Sequence, residues 1–120
     1  LPISVVASLA TPPDMQTNII GHDRYGFNVN GIHMRGSILA FNSFTLLWNV
    51  QHVVAISPRS LAPVHMVRPT PSVLIVGTGE KGGSNVNPAL FAYFSRKGIA
   101  VEPMATVSVT AKKIQQTRGW

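Results

Sequence analysis

A glycine-rich segment is the part of this sequence whose residue types and spacing come closest to known chemistry. Residues 77–82 read Gly-Thr-Gly-Glu-Lys-Gly and match the pattern Gly-x-Gly-x-x-Gly. They follow an apolar run, and Glu102 lies 20 residues beyond the last of these glycines. In dinucleotide-binding domains such glycines let the backbone approach a pyrophosphate, and the later acidic residue binds a ribose hydroxyl. The pattern therefore raises the hypothesis of a cofactor site.

The position of the next helix argues against that hypothesis. Asn87-Pro88 is the first helix start after the glycines, since Asn caps helices and Pro favours their first turn. A helix that begins six residues beyond the glycine run is too far away to direct its N-terminal dipole at a phosphate held there. We therefore predict a structural loop and no cofactor. The alternative is a small nucleotide-binding enzyme, whose phosphate contacts would come from Gly77, Gly79, Lys81 and Gly82.

Other residues with catalytic or metal-binding chemistry are scattered along the chain. The four histidines lack a metal-ligand spacing, there is no cysteine, and the four acidic residues do not form a close pair. No Gly-x-Ser-x-Gly nucleophile motif occurs. The sequence therefore predicts no catalytic residue, no metal site and no enzymatic activity. The residues concerned are His22, His33, His52, His65, Asp14, Asp23, Glu80 and Glu102.

The composition indicates one globular domain with an unusually neutral surface. The chain has 120 residues, of which 45% are hydrophobic and only 12% are charged, against about 25% in a typical protein. A neutral surface is often covered by a partner, although an ordinary neutral exterior would look the same. No apolar run approaches the roughly 20 residues that a membrane helix needs, so we expect no membrane span.

The charge is positive and concentrated near the end of the chain. The net charge is +6, and Lys112, Lys113 and Arg118 lie in the last ten residues. Such an excess favours an anionic partner, which would be RNA, an acidic protein face or a membrane surface, and the alternative is a solvated tail without a partner. If RNA is the partner, these three side chains are the expected phosphate contacts.

The first half of the chain predicts strands. Residues 25–34 alternate apolar and polar side chains around Asn30-Gly31, which is typical of a β-hairpin with a type I′ turn. The returning strand is expected to run on through residues 37–41. Residues 44–50 predict another strand, with Trp48 as a core anchor.

A short helix is predicted next. Ser57-Pro58 is a favourable N-cap and first-turn pair, so the helix would cover residues 59–66. Pro63 would then lie inside it and remove a hydrogen bond. We expect a kinked helix or a single turn.

The second half predicts a strand–helix–strand unit. Residues 72–76 form an apolar run, which predicts a strand buried on both faces. A helix over residues 88–97 follows, with Gly98 beyond its end, and residues 99–101 form a second strand. The two strands of such a unit pair in parallel. The helix is expected to bury one face, formed by Leu90, Phe91 and Phe94.

These elements suggest three parts of the chain. Residues 1–17 contain three prolines and lack a clear period, so they are predicted to form an extended arm on another surface. Residues 18–106 form a single α/β domain, and residues 107–120 are a basic C-terminal extension. Because the chain begins with Leu1 rather than Met, we expect that an upstream segment was removed or left out; a cleaved targeting peptide is one explanation, and trimming of the sequence is the other.

Several segments together resemble the complex I assembly factor 3 family. They read Gly-Phe-Asn-Val-Asn-Gly at residues 26–31, Gly-Ser-Ile-Leu at residues 36–39 and Trp-Asn-Val at residues 48–50. Later matches are Pro-Thr-Pro-Ser-Val-Leu-Ile-Val-Gly-Thr-Gly at residues 69–79 and Gly-Ile-Ala-Val-Glu at residues 98–102. The combination of the last two is more specific than either alone.

The resemblance implies a fold and a function. It covers about residues 18–106 and implies a three-layer α/β/α fold with a central mixed sheet and no catalytic activity. Residues 107–120 depart from the family, because no final apolar strand is evident, which would leave a sheet edge open to another chain.

The expected function is a non-enzymatic scaffold in mitochondria, in the matrix or on the matrix side of the inner membrane. It would bind proteins of a large complex through its neutral surface, its arm and the open edge. The alternative is a permanent subunit of a large mitochondrial assembly such as the ribosome, with RNA contacts from the basic tail.

Overall fold

The computed structural model describes residues 2–8, 17–78 and 86–105. In chain order, the elements are β1 (Ser4–Ser8), β2 (Ile19–His22), β3 (Gly26–Val29), β4 (Ile32–Arg35), β5 (Ser37–Ala40), β6 (Thr45–Trp48), a 3-10 helix (Val53–Ala55), α1 (Ala62–Met66), β7 (Val73–Gly77), α2 (Pro88–Ser95) and β8 (Ala100–Met104). They form a five-stranded sheet in the order β6-β5-β1-β7-β8 and a three-stranded sheet in the order β2-β3-β4.

The five-stranded sheet is mixed. Strand β1 is parallel to β5 and antiparallel to β7, β5 is antiparallel to β6, and β7 is parallel to β8. The three-stranded sheet is antiparallel throughout. The predicted α/β class and central mixed sheet are therefore confirmed.

The first residues of the chain correct the prediction of an N-terminal arm. Ser4–Ser8 lies at the centre of the large sheet, and all five residues are buried. Val5 and Ala7 pack on one face while Val6 packs on the other. A strand buried on both faces needs no alternation of apolar and polar residues, which is why the sequence pattern did not reveal it.

The two faces of the large sheet are packed against different elements. All the described helices contribute to the core on one face, where Leu61, Val64, Leu90 and Phe94 meet Val5, Leu39 and Leu74. On the other face the small sheet supplies Ile19, Phe27 and Val29, which pack on Val6, Ile38 and Ile75. Of the layers that the structure describes, one outer layer is therefore helical and the other is a β-sheet.

The predicted hairpin is confirmed. Strands β3 and β4 are joined by Asn30 and Gly31, with φ of 55° and 86°, as a type I′ turn requires. The expected continuation of the second strand is corrected at Gly36, whose φ of 109° is accessible mainly to glycine. This residue separates β4 in the small sheet from β5 in the large one.

The strand–helix–strand unit is also confirmed. Strands β7 and β8 are parallel, with Val73 opposite Ala100. The Asn87 side chain caps α2 by accepting a hydrogen bond from the Ala89 N–H at 3.0 Å. After the helix, the Gly98 N–H donates to the Ser95 carbonyl at 3.0 Å.

Helix α1 is shorter than predicted and begins later. Residues 58–60 form a turn, which Ser57 and Ser60 stabilise by side-chain hydrogen bonds to each other's backbone. Pro63 therefore occupies the first turn of α1, where its missing N–H costs nothing, and does not kink the helix. The Trp48 indole N–H donates to the Ser60 carbonyl at 2.9 Å, which joins β6 to this turn.

Candidate functional site

The glycine segment begins at the end of a buried strand. Gly77 is the last residue of β7 and lies opposite Ser4 of β1. The backbone N–H and the hydroxyl of Thr78 both donate to the Met104 carbonyl, at 2.9 and 3.1 Å. The first two residues of the segment thus serve the pairing of β7 with β8. Gly79, Lys81 and Gly82 lie outside the described residues.

The helix that follows does not begin within the glycine run. Its first residue is Pro88, as the sequence predicted, and its cap is filled by the side chain of Asn87. Glu102 lies in the middle of β8, opposite Ile75. Within the ranges that the structure describes, no helix begins next to Gly77. The absence of a cofactor remains a prediction.

Two grooves on the described surface are small. One of about 150 Å³ lies beside the ends of β1 and β5, and its lining includes Phe44 and Arg68. Another of about 280 Å³ lies near Pro2 and His52. Pockets for drug-sized ligands and cofactors usually measure about 300–1,000 Å³. Neither groove has the size expected of a nucleotide site.

An aspartate–histidine pair lies at the start of the hairpin. The Asp23 carboxylate accepts hydrogen bonds from the N–H groups of Tyr25 at 2.7 Å and Gly26 at 3.0 Å, and His33 lies 3.2 Å away. The Tyr25 N–H, followed by His33, holds the pKa of Asp23 below its usual range. Both side chains are about half exposed, so this pair shapes a turn on the surface and is not a buried catalytic dyad.

We expect a carbon-detected NMR titration of the Asp23 carboxyl to give a pKa below that of a free aspartate. His33→Ala should raise this pKa only in part, because the backbone N–H groups still stabilise the charged form. Since the folded-state pKa is lowered, the stabilisation is present above the unfolded-state pKa and is lost as the pH falls through the folded-state value. A normal pKa in the wild-type chain would contradict this.

A second histidine packs among aromatic rings between the two helices. His65 of α1 stacks on Phe94 of α2 with ring centres 5.6 Å apart, and its Nε2 atom lies 3.4 Å from the Tyr93 hydroxyl. The Lys97 ammonium group lies 5.1 Å from the centre of the Tyr93 ring. This cluster has no acidic member to complete a catalytic triad. Nowhere in the described ranges do three potential metal ligands come together.

The most distinctive surface is uncharged and partly apolar. Residues 36–58 contain no Asp, Glu, Lys or Arg. Within this stretch, Leu47 is 62% exposed and Val54 is 70% exposed, and Phe44 and Leu46 are exposed to smaller degrees. Exposed apolar side chains in an uncharged stretch are suited to contacts with another protein. The sequence shows that the stretch lacks charge, but only the structure shows which of its apolar side chains face outward.

The basic side chains fall into two groups, one outside and one inside the described part of the chain. Lys112, Lys113 and Arg118 all lie beyond residue 105, outside the described residues. In the part of the chain that the structure describes, the exposed basic residues are Arg24, Arg35, Arg59, Arg68, Arg96 and Lys97. No helix within the described ranges is long and apolar enough to cross a bilayer.

Comparison with known proteins supports the resemblance. Residues 19–112 match a family described as Protein of unknown function (DUF498/DUF598). A protein of Xenopus tropicalis called NADH dehydrogenase [ubiquinone] 1 alpha subcomplex assembly factor 3 is 33% identical over 86 residues, 72% of this chain and 46% of that protein. The protein of the same name from Danio rerio is 30% identical over 95 residues, 79% of this chain and 54% of that protein. This chain therefore spans about half the length of these curated relatives. No solved structure matches it significantly.

Proposed function

The chain belongs to the DUF498/DUF598 family, and on that premise we propose that it is a mitochondrial assembly factor for respiratory complex I. The observation that carries the proposal is the similarity to two proteins named as assembly factors of NADH dehydrogenase, which covers 72% and 79% of this chain. On this proposal its partners are other proteins of that complex, and it acts in the matrix or on the matrix side of the inner membrane.

The proposed mode of action is binding without catalysis. In support, Asp23 and His33 are about half exposed, and His65 packs among aromatic rings. The uncharged stretch of residues 36–58 offers exposed apolar side chains instead. A protein that holds others during assembly needs such a surface more than it needs a reactive group.

A chimera tests this function without requiring the chain to replace a longer protein as a whole. Residues 19–105 of this chain would replace the matching stretch of the Xenopus protein, and the chimera would be produced in cells that lack their own assembly factor 3. We expect complex I to reappear on native gels, because residues 19–105 lie within the stretch that matches the family and the Xenopus protein keeps its own segment before it.

The control is the same chimera carrying Phe27→Asp, since Phe27 is 2% exposed and a buried carboxylate should unfold the domain. This variant should not restore complex I. Failure of the unaltered chimera, with the protein shown to be folded and located in mitochondria, would contradict the proposed function.

The other functions stay predictions from sequence. A ribosomal or other RNA-bound role depends on Lys112, Lys113 and Arg118, and a nucleotide-binding role depends on the loop after Gly77. These residues lie largely outside the described part of the chain. No feature of the described residues favours either role.

A further inference from the structure

Strand β6 forms one edge of the large sheet, and some of its backbone N–H and C=O groups point away from the sheet on that side. The Phe41 N–H donates to the Phe44 carbonyl at 2.8 Å, and the Ile38 N–H donates to Ile3 on the opposite side of β5. Residues 37, 39 and 41 therefore direct their backbone groups at β6. Because Leu39 lies opposite Leu46, the backbone groups of Leu46 are used within the sheet.

The intervening residues of β6 face away from the sheet. By the alternation of an antiparallel ladder, Thr45 and Leu47 direct their N–H and C=O groups outward. No other described strand pairs with this side of β6. The Leu47 side chain is also 62% exposed, so a strand added here would gain apolar contacts as well as backbone hydrogen bonds.

The other sheet edges in the described residues are protected. Strand β8 contains Pro103, which has no N–H, and strand β4 contains Arg35. Strand β2 has an irregular register between Ile19 and Gly21. Prolines, charges and bulges are the usual means by which proteins keep exposed edges from pairing. Strand β6, with the sequence Thr-Leu-Leu-Trp, has none of them.

We infer that the outer edge of β6 is a docking site where an extended, apolar segment of a partner protein, acidic at one end, adds a strand to the sheet. This rests on the proposed function only in that the partner is a protein, and it specifies where and how that protein binds.

The charges near β6 favour an acidic partner over a second copy of this chain. Ser37 lies opposite Trp48, and Arg35 is two residues before Ser37, with its guanidinium group 5.1 Å from the centre of the Tyr25 ring. Arg59 is exposed and directly precedes Ser60, whose carbonyl accepts the Trp48 indole N–H at 2.9 Å. Two copies would bring together chains of net charge +6, which repel each other, whereas acidic residues at one end of a partner strand would be attracted.

Binding of an extended segment with an acidic end to β6 can be tested with a synthetic peptide and the full chain. The probe is a short peptide of alternating threonine and valine with two glutamates at one end. NMR of the isotope-labelled chain should show peptide-dependent shifts at Thr45 and Leu47, and the exchange of their amide protons with solvent should slow in the complex. The same peptide with lysines in place of the glutamates should bind more weakly.

Backbone methylation of the probe peptide distinguishes strand pairing from non-specific hydrophobic binding. Methyl groups on the amides that face β6 should weaken binding at least about tenfold, since each lost hydrogen bond is worth roughly a factor of two to ten. Methyl groups on the alternate amides should have little effect. Equal binding of the two methylated peptides would overturn the proposal.

Two protein variants provide a matched pair. Leu47→Lys places a charge on the edge strand, and Ile20→Lys places one on a side chain of similar exposure, 52%, in the small sheet. Both variants should fold, and only Leu47→Lys should fail to bind the peptide. Slow exchange of the Thr45 and Leu47 amides in the free chain would overturn the proposal, because a segment of the chain itself, or a second copy, would then occupy the edge.

The same variant separates this proposal from the proposed function. If the chimera restores complex I and Leu47→Lys abolishes the restoration, the assembly role and the docking site on β6 are both supported. If the chimera carrying Leu47→Lys restores complex I fully, the edge is not the docking site and the assembly role still stands. If the chimera without this change does not restore complex I, the proposed assembly role is contradicted. The peptide experiments alone then test whether the edge of β6 binds an added strand.

Discussion

Removal of residues 1–8 should abolish folding of this chain. Ser4–Ser8 forms β1, which is bonded to β5 on one side and to β7 on the other, so its removal unpairs the two strands that flank it. It also removes Val5 and Val6, which are fully buried on opposite faces. The loss should be comparable to the whole stability of a small domain, about 5–15 kcal/mol. Circular dichroism and urea titration would measure it.

A point variant tests the same conclusion within the intact chain. Val6→Asp should destabilise the fold by on the order of 3–5 kcal/mol, because it buries an unpaired carboxylate. The matched control is Ile20→Asp, at a side chain that is 52% exposed, and its midpoint in urea should change little. If the truncated chain unfolds cooperatively at the same urea concentration as the full chain, β1 is dispensable and residues 1–8 behave as an arm.

Phe94→Ala should cost about 3–5 kcal/mol, a large share of the stability of a domain this size. Phe94 is fully buried in α2, within the core on the helical face of the sheet. Its ring stacks on His65 and meets Tyr93 edge to face at 5.0 Å, so truncation leaves a cavity bounded by both helices. Urea or thermal unfolding would measure the loss.

The control for this variant lies on the same helix. Phe91→Ala removes the same atoms from a side chain that is 37% exposed, and we expect a loss of no more than about 1 kcal/mol. The sequence predicted that Phe91 and Phe94 share the buried face of α2. Equal losses for the two variants would support that prediction and contradict the burial seen in the structure.

The sequence by itself determined the features that depend on neighbouring residues. Asn30-Gly31 predicts the hairpin because both residues accept a positive φ, and Asn87-Pro88 predicts the start of α2 because the Asn side chain can cap it. The parallel pairing of β7 with β8 follows from the short helical connection between two apolar runs. The lack of charge in residues 36–58 can also be read directly.

Only the tertiary structure decided which segments lie at the centre of the sheet and which lie at its edge. Ser4–Ser8 looked like an arm because a strand covered on both faces has no polar alternation, and its two partners are distant in the chain. Residues 44–50 predicted a strand, yet nothing local says that β5 is its sole described neighbour. Strand order depends on contacts between distant residues, and it is strand order that leaves the outward backbone groups of Thr45 and Leu47 open to a partner.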